Sequence, residues 1–61
     1  MHVNVVSTPE NLDHCLDIAI DLCVEGRNDI RTHEFTFVAE NETEHKQILA
    51  AVREAGLTVV E

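Results

Sequence analysis

Three short stretches with an apolar period of two alternate with two longer stretches of helical period, each closed by a glycine. That pattern restricts the chain to helices packed on a sheet. His2-Val3-Asn4-Val5-Val6 alternates and is β-branched, so it reads as a strand. Ser7-Thr8-Pro9-Glu10 then supplies a helix start. Thr8 suits the cap, Pro9 the first helical position, and Ser7 with Glu10 has capping-box spacing. The first helix is expected to run to about Glu25 and stop at Gly26, which tolerates the left-handed closing position. Residues 27–32 read as a polar connection. Alternation resumes over residues 33–40, with Phe35, Phe37 and Ala39 on one side and Glu34, Thr36 and Val38 on the other. Asn41 starts a second helix as its cap, with Glu44 three residues on. Ile48, Leu49, Val52 and Ala55 form its apolar stripe, Gly56 ends it, and residues 57–60 make the last strand.

The expected fold is α/β, with α+β as the alternative if one strand runs antiparallel. The order is β-α-β-α-β, giving a three-stranded sheet with both helices on one face. Residues 1–61 form a single domain. With no Trp or Tyr, and Phe35 and Phe37 the only aromatics, the core must be built mainly from Val, Ile, Leu and Ala. The far sheet face carries Val6, Thr36, Val38 and Val60 and is partly apolar. It would suit a second copy of the chain or another partner.

No apolar run approaches the roughly 20 residues a membrane helix needs. The first seven residues lack the basic start and apolar stretch of a signal peptide, so a cytoplasmic location is the simplest reading. Cys15 and Cys23 fall in one expected helix, about 12 Å apart along its axis, too far for a mutual bond. Both are expected to be buried free thiols.

Charge is the most unusual feature. Twelve Asp and Glu face four Lys and Arg, for a net charge of −8. Such a chain is repelled by nucleic acid and anionic membranes and attracted to basic surfaces, which are most often surfaces that hold DNA or RNA. On the first helix, Leu12, Cys15, Leu16, Ala19, Leu22 and Cys23 fall on one face, with Ile18 and Ile20 at its edges. Opposite them, Asp13, Asp17, Asp21 and Glu25 recur every fourth residue, and Glu10 lies close to the same line. Like charges at this spacing cost a helix roughly 0.2–0.5 kcal/mol per pair. Stability alone would place Lys or Arg in the row. Successive carboxylates are about 6 Å apart along the axis, close to the interval between phosphates on one nucleic-acid strand. Glu40, Glu42 and Glu44 form a second acidic group where the second helix begins. The competing reading is an ordinary solvated face, of which adaptation to high salt is one version, since Lys46 is the only lysine.

Other chemistry finds little support. His14 and Cys15 are adjacent and point about 100° apart on a helix, which argues against a metal site with Cys23 and against a catalytic dyad. Ser7, the only serine, is used at the helix start, and the two glycines close helices rather than form a phosphate loop. No catalytic residue, metal or cofactor is expected. Arg27, Arg31 and His33 form a small basic spot that offsets the carboxyl end of the first helix.

In size, in the Asp13-Asp17-Asp21-Glu25 row and in the Glu40-Glu42-Glu44 cluster, the chain resembles, at the level of class, the small acidic proteins that phages encode as anti-CRISPR inhibitors. Some of those mimic DNA. The resemblance implies an inhibitor that occupies the DNA-binding groove of a CRISPR effector, where Lys or Arg residues meant for the duplex meet carboxylates instead. The alternative function is a small interaction or regulatory module, a homodimer being one form of it, that binds through its apolar sheet face and carries a solvated acidic face.

Overall fold

The computed structural model describes residues 1–60. Its elements are β1 (His2–Val6), α1 (Leu12–Leu22), β2 (Glu25–Asp29), β3 (Glu34–Val38), α2 (Glu42–Glu54) and β4 (Val59–Val60). The fold is α+β. Two helices lie against one four-stranded sheet of order β2-β3-β1-β4, in which every neighbouring pair is antiparallel. The three-stranded β-α-β-α-β expectation is therefore corrected to β-α-β-β-α-β. Both β1 and β2 run opposite to β3, which lies between them; β3 and β4 likewise flank β1. The result is two interlocked split β-α-β units. None of the described helices is long and apolar enough to cross a membrane.

The strand missing from the sequence reading is β2, which has the sequence Glu-Gly-Arg-Asn-Asp and is exposed throughout. Register explains why it was hidden. Gly26 stands opposite Phe37 and Asn28 opposite Phe35, so these two are its core-facing residues. Neither gives an apolar signal. An ideal Cβ on Gly26 would lie 2.6 Å from two ring carbons of Phe35, so glycine is what lets the ring pack there. Asn28 accepts a 3.0 Å hydrogen bond from the hydroxyl of buried Ser7, tying the end of β1 to the edge strand. Glu25, Arg27 and Asp29 occupy the open face, and these charges guard an exposed edge against pairing with other chains.

Because β2 begins at Glu25, α1 ends at Leu22 rather than near Glu25. Cys23 takes the left-handed conformation (φ 55°) expected of Gly26. Its N–H donates to the Ile20 carbonyl at 3.1 Å, and the Val24 N–H to the Ala19 carbonyl at 3.0 Å. At the end of α2, Gly56 (φ 77°) donates to Arg53 and Leu57 to Val52. Both helices thus close with the same Schellman pair of hydrogen bonds, one with glycine and one with a residue that bears a Cβ. Cys23→Gly is expected to raise stability by a few tenths to about 1 kcal/mol, because the left-handed strain disappears. Chemical denaturation of the two proteins reads this directly; a loss of stability would mean that the Cys23 side chain contributes more packing than its exposure suggests.

Of the two helix starts, the second follows the sequence more closely. Thr8 does not cap α1, whose N-cap is Asn11 without a side-chain cap bond, and Pro9 lies in a turn rather than at the first helical position; instead of a Ser7–Glu10 box, Thr8 and Asn11 close that turn reciprocally. The Asn11 N–H donates to Thr8 Oγ1 at 3.3 Å, and the Thr8 N–H to Asn11 Oδ1 at 2.7 Å. Asn41 caps α2 as expected, accepting from the Glu44 N–H at 2.9 Å. Glu44 Oε1 in turn accepts from the Glu40 N–H at 2.9 Å.

Val3, Val5, Phe35 and Phe37 form the covered sheet face, with Val3 opposite Phe37 and Val5 opposite Phe35. Cys15, Ile18 and Ala19 of α1 and Ile48 and Val52 of α2 close over them. The two phenylalanine rings meet at 4.8 Å with a 52° tilt, a favourable aromatic geometry.

Candidate functional site

On α1 the buried positions are Cys15, Ile18 and Ala19, with Leu12 and Leu22 half-buried beside them. This face packs between α2 and the β2–β3 end of the sheet. It is rotated from the stripe expected from sequence, which had placed Leu16 inward and Ile20 at the border. Leu16 is instead 44% exposed and Ile20 71% exposed. At 100° per residue these two lie one turn apart, immediately beside Asp13 and Asp17. The outer face of α1 therefore presents two aliphatic side chains along a row of acids, a combination that solvent alone does not favour.

The row itself is shorter than expected. Asp13, Asp17 and Asp21 are all exposed on α1, one turn apart. None of them makes a side-chain hydrogen bond or ion pair with a described residue. They span about 12 Å along the axis, or two intervals of the phosphate-like repeat. Glu25 leaves the row: it stands on β2, where Arg27, two residues along the same strand, pairs with it at 3.2 Å. That pair also removes Arg27 from the carboxyl end of α1, where sequence had placed it. Glu10 is exposed in the turn before α1. Glu40 and Glu42 are exposed at the start of α2, while Glu44 is committed to the cap.

Ser7 and Asp29, two of the remaining polar groups, are engaged within the fold. Ser7, Asp29 and His33 line one hollow of about 230 Å³ at the head of α1. The Ser7 hydroxyl donates to Asn28, however, and Asp29 Oδ1 accepts from the Arg31 N–H at 2.8 Å, shaping the β2–β3 turn. These contacts leave no relay from acid to imidazole to hydroxyl. No group of three or more His, Cys, Asp or Glu among the described residues is positioned to hold a metal ion.

The cysteines differ in a way the helical period did not indicate. Cys15 is fully buried, whereas Cys23 lies past the helix end and is exposed. Burial pushes the Cys15 thiol above its ordinary pKa. Iodoacetamide at pH 8 is expected to modify Cys23 alone in the folded protein and both thiols in urea, as read by mass spectrometry. Rapid modification of Cys15 without denaturant would contradict this burial.

The open sheet face carries Val6, Thr36, Val38 and Val60, all half-buried, as the alternation implied. Glu34 shares it, as the alternation also implied; the structure adds His2 and Asn4, and β2 adds Glu25, Arg27 and Asp29. Its apolar part is therefore bordered by charge on the β2 side.

No protein-family model matches the chain, and neither does any curated protein or solved structure.

Proposed function

We propose that this protein binds a basic protein surface through the outer face of α1 and blocks nucleic acid from that surface by charge mimicry. This is the mode that the class-level resemblance to anti-CRISPR inhibitors implies. The observation that carries the reading is the unengaged state of Asp13, Asp17 and Asp21 beside exposed Leu16 and Ile20. Three other acids in the chain have work to do in the fold: Glu44 caps, Asp29 shapes a turn, and Glu25 pairs with Arg27. The row has none, and its like charges at i, i+4 oppose the helix that holds it.

Carboxylates supply attraction and orientation, and their contribution falls with salt. Leu16 and Ile20 add apolar area that a phosphate backbone could not use, so the partner is a protein with an apolar notch beside its basic groove. Glu40 and Glu42, at the far helix start, form a second patch. The residues thus assigned are Asp13, Asp17 and Asp21 as principal contacts, Leu16 and Ile20 as apolar anchors, and Glu10, Glu40 and Glu42 as peripheral charge.

The combined Asp13→Asn, Asp17→Asn, Asp21→Asn protein tests the separation of binding from folding. Its melting temperature is expected to equal or slightly exceed that of the wild type, because repulsion is relieved, while capture of a basic partner is lost. A drop of more than a few degrees would make the row structural and sink the proposal. The alternative, binding through the open sheet face, draws support from Val6, Val38 and Val60. It predicts instead that Val38→Lys abolishes binding and the aspartates are dispensable.

A further inference from the structure

β2 forms the edge of the sheet opposite to β4, and it is exposed throughout. The register shows which of its main-chain groups are free. The Ser7 N–H donates to the His33 carbonyl and the Ala39 N–H to the Met1 carbonyl, so odd-numbered residues of β1 and β3 bond to each other. Glu34, Thr36 and Val38 therefore bond the other way, to Asp29, Arg27 and Glu25. Gly26 and Asn28, which alternate with those partners, turn their N–H and C=O groups outward. Among the described residues β2 pairs with β3 alone, so these groups face solvent.

Charge along this edge is unlike that of the rest of the chain. Glu25, Arg27, Asp29 and Arg31 alternate in sign at every second residue, two acids with two bases, in a sequence that has twelve acids and four bases in all. Such a pattern can complement its own reverse, and the register decides whether it does. An antiparallel pairing of two β2 strands centred on Asn28 sets Arg27 of each copy against Asp29 of the other, with Arg31 and Glu25 opposite at the ends. Centred on Arg27, the same pairing sets Arg27 against itself and Glu25 against Asp29, like against like. Centred on Gly26, it matches Arg27 with Glu25 but leaves Asp29 opposite Cys23, which lies before β2 begins. Ile30 is 78% exposed and lines the hollow at the head of α1, on the helix side of the sheet. The Asn28 register sets it opposite Gly26 of the second copy, which has no side chain to obstruct it.

From this pattern we infer that β2 pairs edge to edge with β2 of a second copy, antiparallel and centred on Asn28, so that two four-stranded sheets join into one. The two Asn28 residues exchange N–H to carbonyl bonds across the two-fold axis. The Arg27–Asp29 pairs then occupy the closer, non-hydrogen-bonded positions beside them, where cross-strand charges interact most strongly. Within one chain Arg27 pairs with Glu25, but both side chains are well exposed, and such a pair yields readily to a new partner. A strand without this alternation gains no matching pairs, so the charges that guard the edge against other chains still admit a second copy. At physiological salt the net −8 of each copy acts over only roughly 8 Å, which leaves the groups at the seam to decide association. The pairing uses neither the aspartate row of α1 nor the valines of the open sheet face, and it is independent of the function proposed for α1.

The test is analytical ultracentrifugation of the full chain over a dilution series, with amide hydrogen exchange followed in parallel. The wild type is expected to approach twice its 6.8 kDa mass as concentration rises, and the Gly26 and Asn28 amides to exchange more slowly in the dimer than after dilution. Arg27→Asp and Asp29→Lys, each confirmed as folded by circular dichroism, should each weaken the dimer about tenfold or more, because like charges then meet across the seam. An equimolar mixture of the two should regain affinity to within a few-fold of the wild type, since the mixed pair alone restores opposite charges. A wild type that stays monomeric at about 1 mM overturns the inference. So does a dimer without slowed exchange at Gly26 and Asn28, or a mixture that associates no more tightly than the single variants. Asp29→Lys that dimerises as well as the wild type would indicate the Gly26 register and overturn the pairing centred on Asn28. Should Asp29→Lys fail to fold, the wild-type mass and the exchange at Gly26 and Asn28 decide by themselves.

Discussion

Replacing Phe35 with alanine is expected to leave the chain largely unfolded at physiological temperature. Phe35 is fully buried and sits where three parts of the molecule meet: its ring lies over Gly26, close to Ala19, and tilts against Phe37. Large-to-small changes at such positions cost about 3–5 kcal/mol, since burial is lost and a cavity remains. At about 0.05–0.15 kcal/mol per residue, a chain of 61 residues holds roughly 3–9 kcal/mol in all. The substitution therefore removes a large share of the total. In a domain this small each kcal/mol moves the melting temperature by about 4–8 °C, so a fall of at least about 12 °C is expected by circular dichroism. A fall of only a few degrees would mean that the ring does not occupy the centre of the core.

Gly26→Ala should also destabilise, and here the sign is informative. Gly26 has no positive φ, so alanine could adopt its backbone conformation. At an unobstructed site of this kind the change would stabilise by about 0.4–1 kcal/mol, through the unfolded chain. The new methyl would instead stand 2.6 Å from two ring carbons of Phe35 and 3.3 Å from the Ala19 Cβ. Phe35 is enclosed and cannot swing away, so a net loss of about 1–3 kcal/mol is expected. The two sites are coupled. Shortening the ring in Gly26→Ala, Phe35→Leu should cost less than the sum of the single changes, as a double-mutant cycle in urea would read. Strict additivity, or a more stable Gly26→Ala, would contradict the packing of β2 against Phe35.

That pair also explains what the sequence could and could not disclose. β1, the alternation around Phe35 and Phe37, and α2 with its Asn41 cap and Gly56 stop were all legible, because each carries both a period and a terminator. β2 was not, because its inward residues are a glycine that makes room and an asparagine that binds Ser7. A strand whose core side is nearly empty has no hydrophobic alternation to find. Gly26 read as a helix stop makes α1 too long, which puts Cys23 inside the helix and Glu25 in the acidic row. In the structure Cys23 closes the helix despite its Cβ, and Glu25 belongs to an edge strand with Arg27 as its partner.

The candidate surface was legible in part for the same reason. The recurrence of Asp13, Asp17 and Asp21 is a property of sequence spacing alone. The exposure of Leu16 and Ile20 is not, because it depends on how α1 rolls between α2 and the sheet. The hidden strand helps to set that roll, which turns Ile18 inward and Ile20 out. What sequence offered as a row of charge is, on the folded molecule, charge beside an apolar pair.

The most direct test of the α1 surface is capture from a nucleic-acid-depleted bacterial lysate, with partners identified by mass spectrometry. The wild type is compared with the folded Asp13→Asn, Asp17→Asn, Asp21→Asn protein, and duplex DNA is then added as competitor. The account predicts that the wild type alone retains a nucleic-acid-binding protein, and that added DNA or raised salt releases it. Retention of the same partner by both proteins, or a partner that DNA does not displace, would contradict charge mimicry by α1.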